Sequence, residues 1–233
     1  MVDTASTDSS TERRRSGEVR PLQIRSVVDS LYSDLRNRLL LGELEGGLPL
    51  TELDLAAQYG VARPTAKAAM ERLVQEGLLM REQNRSTRVP LVTVEWARDL
   101  YMSRLLMERS AVRALATSVT VPDSARDQLA EFEVLAAMAD PNVMDVVSCD
   151  IAFHTALIDA LELARFSALY KVLIGEVQLG MVQVQRRGLR TPPVQALEHA
   201  GILAAIAAGD VEGADAAISD HIEGACDQLT QAL

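Results

Sequence analysis

Imidazole side chains are scarce in this sequence, which has only three histidines in 233 residues: His154, His199 and His221. Asp150 precedes His154 by four residues, so on a helix the two side chains share one face. The other two histidines lie in later helical stretches that could converge on that face in a bundle. One carboxylate and three imidazoles suit Zn(II), Ni(II), Mn(II) or Fe(II). Spacing alone leaves a second interpretation open, because scattered histidines are often plain core or surface residues.

A second set of functional side chains is basic and lies in the N-terminal half. The formal net charge is −10, but residues 1–90 carry 13 Lys and Arg against 13 Asp and Glu, whereas residues 91–233 carry 10 against 20. The excess negative charge therefore belongs to the C-terminal part alone. Residues 61–90 are locally basic, with six Lys and Arg against three Glu. Charge counted by region is thus compatible with a DNA-binding N-terminal part.

Helical periodicity identifies the elements that must position these basic side chains. Apolar residues at helical spacing over residues 24–40 predict a first helix. Thr51 begins a weak capping box and opens a short helix that ends near Gly60. Another short helix, with proline tolerated in its first turn, runs over about 63–76. Two short helices around a glycine-containing turn are a helix-turn-helix pattern.

The rest of the chain divides into a small hairpin and a long helical part. Residues 78–80 and 87–89 flank a polar tip at 82–86, which predicts a β-hairpin, or wing, before Pro90. From Val92 onward there is no strand signal, and breaks at Pro, Gly and Asn positions define about six helices. The composition agrees, because 48% of residues are apolar and only 3% are aromatic. We therefore predict a mostly α fold.

Short motifs follow one another over residues 46–89. They are a turn at Gly47–Pro49, Leu55-Ala56, a Gly60-Val61 step, the run Arg63-Pro64-Thr65-Ala66-Lys67, and Glu76-Gly77-Leu78. Together they resemble the GntR family of winged-helix regulators. The resemblance implies operator DNA as partner, with the helix that starts at Arg63 lying in the major groove. The candidate DNA-binding residues are Arg63, Thr65, Lys67, Asn84, Arg85 and Thr87.

The expected roles of the DNA-binding residues follow from their side-chain chemistry. Arg63 is placed to pair with guanine O6 and N7. Lys67 occupies a position where the family usually has arginine, so a phosphate contact is as plausible there as a base contact. Leu53 replaces an often basic residue, and the wing tip lacks the usual glycines. Because of these departures, no operator sequence is inferred.

Four further segments lie in the C-terminal part, at residues 99–108, 150–154, 198–199 and 220–221. They resemble the FCD-type effector domain of the FadR branch of the same family. The resemblance implies an antiparallel all-α bundle around a ligand cavity, and a divalent metal, most simply Zn, with Ni, Mn or Fe as alternatives. The implied ligands are Asp150, His154, His199 and His221.

The resemblance also implies what the ion does: it holds the carboxylate or hydroxyl of a small organic-acid effector. Arg104 is a candidate contact for such an anion. A helix-pair role for Arg104 with Glu108 is an equal alternative.

We expect three regions: a disordered arm over residues 1–20, a winged helix-turn-helix over 21–90, and an effector domain over 91–233. Arg13, Arg14 and Arg15 of the arm are either DNA-phosphate contacts or a solvated tail. Cys149 and Cys226 are expected to be free thiols without an assigned role. We found no apolar run long enough to span a membrane and no leader pattern, so a cytoplasmic location is expected.

The function that these observations predict is transcriptional repression by a homodimer, since palindromic half-sites need two matched winged helices. A small carboxylate bound at the metal would control operator affinity. Two alternatives stay open. In one, the metal ion is itself the signal; in the other, the chain is an enzyme, a metal-dependent hydrolase.

Overall fold

The computed structural model describes residues 26–81 and 86–233, and it is mostly α-helical. The predicted arm of residues 1–20 and the wing-tip residues Asn84 and Arg85 lie outside that part. The N-terminal elements are α1 (Val27–Leu40), β1 (Pro49–Leu50), α2 (Glu52–Tyr59), α3 (Arg63–Gln75), β2 (Met80–Arg81) and β3 (Thr87–Arg88). The C-terminal elements are α4 (Val94–Ser118), α5 (Asp123–Ala136), α6 (Val143–Asp159), α7 (Ala164–Arg186), α8 (Pro192–Ala208) and α9 (Val211–Ala232).

The helix-turn-helix forms where the sequence signals predict it. The Thr51 side chain accepts a hydrogen bond from the backbone N–H of Asp54 and so caps α2. Gly60 ends α2 in the left-handed region at φ 63°, which glycine adopts without strain. Leu35 of α1, Leu55 of α2 and Leu73 of α3 are all buried in the core. This packing leaves the N-terminal end of α3 at the surface.

The wing has one more strand than the sequence analysis predicted. Residues 49–50 form β1, which pairs antiparallel with β3, and β3 pairs antiparallel with β2, so the strand order is β1-β3-β2. The sequence analysis assigned Pro49 to a turn. A strand of two residues carries no alternation to detect, and proline is tolerated in an edge strand because its missing N–H faces outward.

Helices α4 to α9 pack into a bundle, in agreement with the six predicted from the sequence. The central pair is α4 and α9, while α6 lies between α5 and α7 and α8 packs against α5 and α9. Small residues such as Ala97, Ala111 and Ala214 are completely buried. They allow the helices to approach closely, and this brings α4, α6, α8 and α9 together around a polar centre.

The two halves meet where the end of α3 rests on α7. A Cβ atom added at Gly175 of α7 would lie 1.7 Å from the Glu76 carbonyl oxygen, so only glycine fits there. Beside this contact, Arg36 of α1 donates a hydrogen bond of 2.6 Å to Gln178 of α7. Glu76 is also the C-cap residue of α3. The helix that carries Arg63 is therefore seated directly on the C-terminal bundle.

Two smaller predictions are tested by the described residues. Cys149 and Cys226 are free cysteines, the first buried and the second half-buried. Across residues 26–81 and 86–233, none of the helices has the length and apolarity needed to cross a membrane.

Candidate metal centre and DNA-reading surface

The four predicted metal ligands converge at the centre of the bundle. Helix α6 supplies Asp150 and His154 from one face, α8 supplies His199, and α9 supplies His221. One ligand atom of each residue lies within 4.8 Å of the others. All four residues are at most 2% exposed. The sequence placed two of these ligands on one face, and the bundle brings the other two to them.

Their ligand atoms face one another closely. His154 Nε2 lies 3.0 Å from His221 Nε2, and His199 Nε2 lies 3.2 Å from Asp150 Oδ1. The second carboxylate oxygen, Asp150 Oδ2, lies 3.7 Å from His154 Nε2 and has no hydrogen-bond partner within the described residues. Three imidazole nitrogens and a carboxylate thus surround one small space.

Glu108 of α4 lies behind His154. Its Oε2 is 2.6 Å from His154 Nδ1, close but without ideal alignment of the N–H bond. Its Oε1 accepts hydrogen bonds of 2.6 Å from Arg104 Nε and from the Tyr170 hydroxyl. Burial alone would raise the pKa of Glu108, but the charge of Arg104 offsets this, and the pKa falls to about 2. Glu108 is therefore an anion held on three sides.

Glu198 of α8 has the equivalent place behind His221. Its Oε2 lies 2.8 Å from His221 Nδ1. Arg190, from the loop between α7 and α8, donates through Nη1 to the His221 carbonyl oxygen at 2.8 Å and through Nη2 to Glu198. The same Nη2 lies 3.1 Å from His221 Nδ1. His221 thus has an anion and a cation beside the same ring nitrogen.

His199 is held differently, by aromatic rings. The Phe153 ring stacks on its imidazole with a centroid distance of 4.1 Å, and Phe132 meets it edge-on at 5.1 Å. Its Nδ1 has no hydrogen-bond partner among the described residues. Packing, rather than a carboxylate, fixes the orientation of this ring.

The residues present fit a divalent cation. Two imidazole nitrogens 3.0 Å apart repel each other unless a proton or a cation lies between them. A proton on His154 Nε2 would leave the Nδ1 lone pair facing the Glu108 carboxylate, which is repulsive. Protonating a whole ring is also unfavourable, because burial lowers the pKa of His154 and sets that of His221 well below its ordinary value. Neutral imidazoles with free Nε2 atoms are metal ligands.

Arg104 makes the helix-pair contact that the sequence analysis offered as one of its two interpretations. It is fully buried, and its Nε donates to Glu108 one turn later. Its Nη2 has no hydrogen-bond partner in the described part of the chain, and neither has the buried Tyr101 hydroxyl three residues earlier. The contact with Glu108 therefore leaves one donor of Arg104 unused.

The predicted DNA-reading residues lie mainly at the surface. Arg63 and Lys67 are 69% and 53% exposed, on one side of α3. Arg63 pairs with Glu52 at 3.1 Å, and Lys67 lies 3.8 Å from Glu71. Thr65 is half-buried at the start of the same helix. The N-terminal end of α3 thus presents two cations to the outside.

Thr87 does not match its predicted role as a wing contact. Its side chain is only 5% exposed. It lies in the central strand β3, paired with Leu50 and Arg81, and its hydroxyl is 3.5 Å from Arg81 Nε. A side chain with so little accessible surface does not suit a wing contact with DNA, so we leave Thr87 out of the proposed interface.

Comparison with known proteins finds a family model for the metal-site region and another for the region that contains α3. The family model described as "FCD domain" matches residues 99–224, and the one described as "Bacterial regulatory proteins, gntR family" matches residues 28–89. The first match covers more than half of the chain. The chain belongs to the GntR family and carries an FCD domain.

Relatives of this GntR protein are regulators. The "Putative L-lactate dehydrogenase operon regulatory protein" of Escherichia coli (strain K12) is 27% identical over 212 residues, covering 80% of this chain and 81% of that protein. The "HTH-type transcriptional repressor NanR" of Klebsiella aerogenes is 26% identical over 242 residues, covering 95% and 90%. The solved structure of a "putative transcriptional regulator GntR from Rhodococcus sp. RHA1" has a TM-score of 0.70 at 25% identity, covering 88% of this chain and 98% of that chain.

The family membership confirms several predictions. This GntR-family protein is a DNA-binding transcriptional regulator of mostly α fold. The hydrolase alternative is set aside, because the family and its relatives are regulators rather than enzymes. FCD domains bind metals, and this one brings a candidate ligand set together.

Sequence reasoning missed the residues around the ligands in this FCD domain. Glu108 was considered only as a partner of Arg104, Glu198 only as part of a motif, and Tyr101, Tyr170 and Arg190 were given no role. Glu108 contacts His154 from a different helix, and Arg190 contacts His221 from a loop. Such contacts between distant segments cannot be predicted from spacing along the sequence. The available signal was positional: Arg104 and Glu108 are charged residues at positions that the helical pattern of α4 places inside. Arg190 lies in a loop, where no such pattern exists.

Proposed function

We propose that this chain is a homodimeric repressor whose affinity for operator DNA is controlled by a small carboxylate bound at a metal in the FCD domain. The observation that carries the proposal is the buried set of Asp150, His154, His199 and His221, with possible ligand atoms that face one another. The domains we assign to the two tasks are residues 21–90 and 91–233.

Zinc is the ion that this ligand set suits best, with Ni, Mn and Fe as alternatives. When bound, a divalent ion supplies a Lewis-acidic positive charge that an effector oxygen can ligate. The chain's own contribution is to hold three neutral imidazoles and one carboxylate in place. Burial alone would raise the pKa of Asp150, but its contact with His199 and the charge of Arg104 lower it, so this ligand stays anionic.

The effector that the surroundings favour is a small hydroxy-carboxylate. Arg104 Nη2 and the Tyr101 hydroxyl are buried donors without partners among the described residues, and buried polar groups are normally hydrogen-bonded, so an acceptor on a bound ligand would satisfy them. Burial raises the pKa of Tyr101 to about 12, so its hydroxyl remains a neutral donor. Two donors suit a carboxylate and a neighbouring oxygen. The name of the E. coli relative, which includes L-lactate, points to the same class of compound.

Operator recognition is assigned to the exposed end of α3. Arg63 has the reach and planar donors for a guanine edge, while Lys67 and Thr65 suit phosphates or neighbouring bases. Asn84 and Arg85 remain proposed wing contacts. Two copies of this surface would read two half-sites one helical turn apart, which is why we propose a homodimer.

Effector binding would act as a population shift between bundle arrangements, because a ligand changes an equilibrium only through its different affinity for the two states. The end of α3 rests on α7 at Gly175, so the seat of the recognition helix is part of the FCD domain. We propose that the effector-bound arrangement no longer fits both half-sites and releases the operator.

The first experiment measures the melting temperature of the full chain after chelation, after restoring Zn(II), Ni(II) or Mn(II), and after adding lactate, glycolate or citrate. A ligand at 100 times its Kd adds about 2.7 kcal/mol of stability. We expect metal to stabilise the chain, and one acid to stabilise it further only when metal is present. Substitution His199→Ala should remove both effects. A chain indifferent to metal and chelator would overturn the assignment of the site.

A second candidate function is supported by the number of ligands. Four protein ligands complete a tetrahedral zinc site, which is typical of structural rather than open sites. In this alternative the ion itself is the signal. Operator affinity measured with and without Zn(II), in the absence of any acid, separates the two: a change with metal alone favours the metal-responsive regulator.

A further inference from the structure

We propose that Glu198 is the positioning residue for His221, and that it acts in two ways: it accepts the Nδ1 proton, and it binds the arginine that would otherwise donate to the same nitrogen. This inference rests on the proposed metal site. It concerns which ring nitrogen of His221 carries the proton, because only an unprotonated Nε2 can bind an ion.

The first action is direct. Glu198 Oε2 lies 2.8 Å from His221 Nδ1, and a carboxylate accepts hydrogen bonds but donates none when ionised. This contact therefore favours the tautomer in which Nδ1 carries the proton and donates it to Glu198. This leaves the lone pair on His221 Nε2, on the side of the ring where His154 Nε2 lies 3.0 Å away.

The second action concerns Arg190, which lies beside the same nitrogen. Its Nη2 is 3.1 Å from His221 Nδ1, and guanidinium nitrogens only donate. A donor at this position favours an unprotonated Nδ1 and hence a proton on Nε2, which blocks the metal-binding nitrogen. In the structure Glu198 also accepts from Nη2 of Arg190, so the arginine has a competing acceptor. Glu198 and Arg190 therefore push the His221 proton to opposite nitrogens.

His154 provides the contrasting case. Its Nδ1 faces Glu108, which is fully buried and held by Arg104 and Tyr170. Here the neighbouring arginine, Arg104, directs its Nε to Oε1 of Glu108. Glu198, by contrast, is 34% exposed and is held by a loop residue. The proton position is therefore open to competition at His221 and fixed at His154.

The test uses the full-length, metal-free chain labelled with ¹⁵N-histidine. Long-range ¹H–¹⁵N correlation spectra distinguish Nδ1–H from Nε2–H imidazole, and three histidines give few signals. The variants are Glu198→Leu, which removes the acceptor, Glu198→Gln, which keeps an uncharged acceptor, and Glu133→Leu as a control at an exposed position of α5. Zn(II) affinity is measured on each by competition with a chromophoric chelator.

Without metal, the contact with His154 Nε2 favours a proton on His221 Nε2, whereas Glu198 favours one on Nδ1. We therefore expect a mixture of the two tautomers of His221 in the wild-type chain and a shift to Nε2–H in Glu198→Leu, with His154 and His199 unchanged. The Zn(II) affinity of Glu198→Leu should fall about 10- to 100-fold, the usual effect of losing such a partner. The Zn(II) affinity of Glu198→Gln should lie between those of the wild type and Glu198→Leu, and the affinity of Glu133→Leu should match that of the wild type.

The double variant Glu198→Leu/Arg190→Leu separates the two actions. If Arg190 drives the proton to Nε2, removing it should restore part of the lost Zn(II) affinity and return some of the His221 signal to Nδ1–H. No recovery would show that Glu198 acts as an acceptor only and overturn the second half of the proposal.

Failure of this inference is distinguishable from failure of the metal site. If the wild-type chain binds Zn(II) and Glu198→Leu keeps both its affinity and its His221 signal, the positioning role is wrong and the site stands. If the wild-type chain binds no Zn(II), the metal site falls, and the ¹⁵N signals still decide whether Glu198 sets the proton position.

Discussion

The recognition end of α3 and the metal centre use similar side chains in opposite surroundings. Arg63 and Lys67 are largely exposed and paired only loosely with Glu52 and Glu71. At the candidate metal centre, Arg104 and Glu108 form an ion pair of the same type with at most 1% exposure. In the proposed function, the first region binds DNA, a large polyanion, from outside, whereas the second holds a small group inside. The difference predicts that changes in α3 alter binding alone, while changes in the bundle also alter stability.

The largest expected effect is the difference in stability between variants of Arg104 and of Arg63. Arg104→Leu leaves the Glu108 carboxylate buried without its main partner, and breaking a buried pair in this way costs about 3–5 kcal/mol. Arg63→Leu removes a surface pair, with a change within about ±0.5 kcal/mol. Urea denaturation of both variants measures this difference. Equal stability of the two would mean that water reaches the Arg104–Glu108 pair.

Operator affinity should show the reverse order from stability, with the larger effect in α3 and the smaller one at the buried ion pair. Arg63→Ala removes the proposed guanine contact, at about 1–3 kcal/mol, and should relax specificity at one base position. Lys67→Ala should weaken binding to all sequences alike and lower the salt dependence of log K by about one unit. Fluorescence anisotropy with specific and scrambled duplexes at several salt concentrations separates the two roles. A sequence-independent loss in Arg63→Ala would reassign that residue to the phosphates.

The junction between the two regions can be tested with a single methyl group. Gly175→Ala places a Cβ atom against the Glu76 carbonyl, so α3 or α7 must shift, at a cost of about 1–3 kcal/mol. Gly201→Ala, inside α8 with open space around it, is the matched control and should stabilise by up to about 1 kcal/mol. Thermal unfolding of both variants checks the sign. If Gly175→Ala were also stabilising, the end of α3 would not rest on α7 in solution.

The smallest expected effect is that of pH on the metal-free chain. Burial lowers the pKa of His154 and of His221 below the ordinary value of about 6.5. The unfolded chain therefore binds more protons than the folded chain below pH 6.5, and stability is lost as the pH falls from there toward the folded-state pKa values. Each histidine contributes at most about 1.4 kcal/mol per pH unit. Denaturation between pH 7.5 and 5.5 should show a shallower slope in His221→Gln.

Sequence reasoning succeeded where a function lies within one continuous stretch. The winged helix could be read from Thr51, Gly60 and the Arg63–Lys67 run, because caps, turns and recognition residues are local. The metal ligands were harder, since only Asp150 and His154 share a helix, and the other two were assigned through the resemblance. Glu108, Glu198 and Arg190 were missed as partners of those ligands, because their places are set by how helices and a loop pack around the site. Thr87 was misjudged for a related reason. A strand of two residues has no alternation of polar and apolar residues from which to tell which of its side chains is buried.

The uneven charge of the chain has a consequence for how it meets DNA. Residues 91–233 hold the whole formal excess of −10, whereas residues 61–90 are locally basic. Within a Debye length of about 10 Å at 0.1 M salt, we expect a duplex to be repelled by the bundle and attracted by the locally basic stretch that contains α3. As the chain approaches a duplex, it is therefore turned until α3 faces the DNA. The acidic FCD domain acts as an orienting field that disfavours unproductive encounters before any base is contacted.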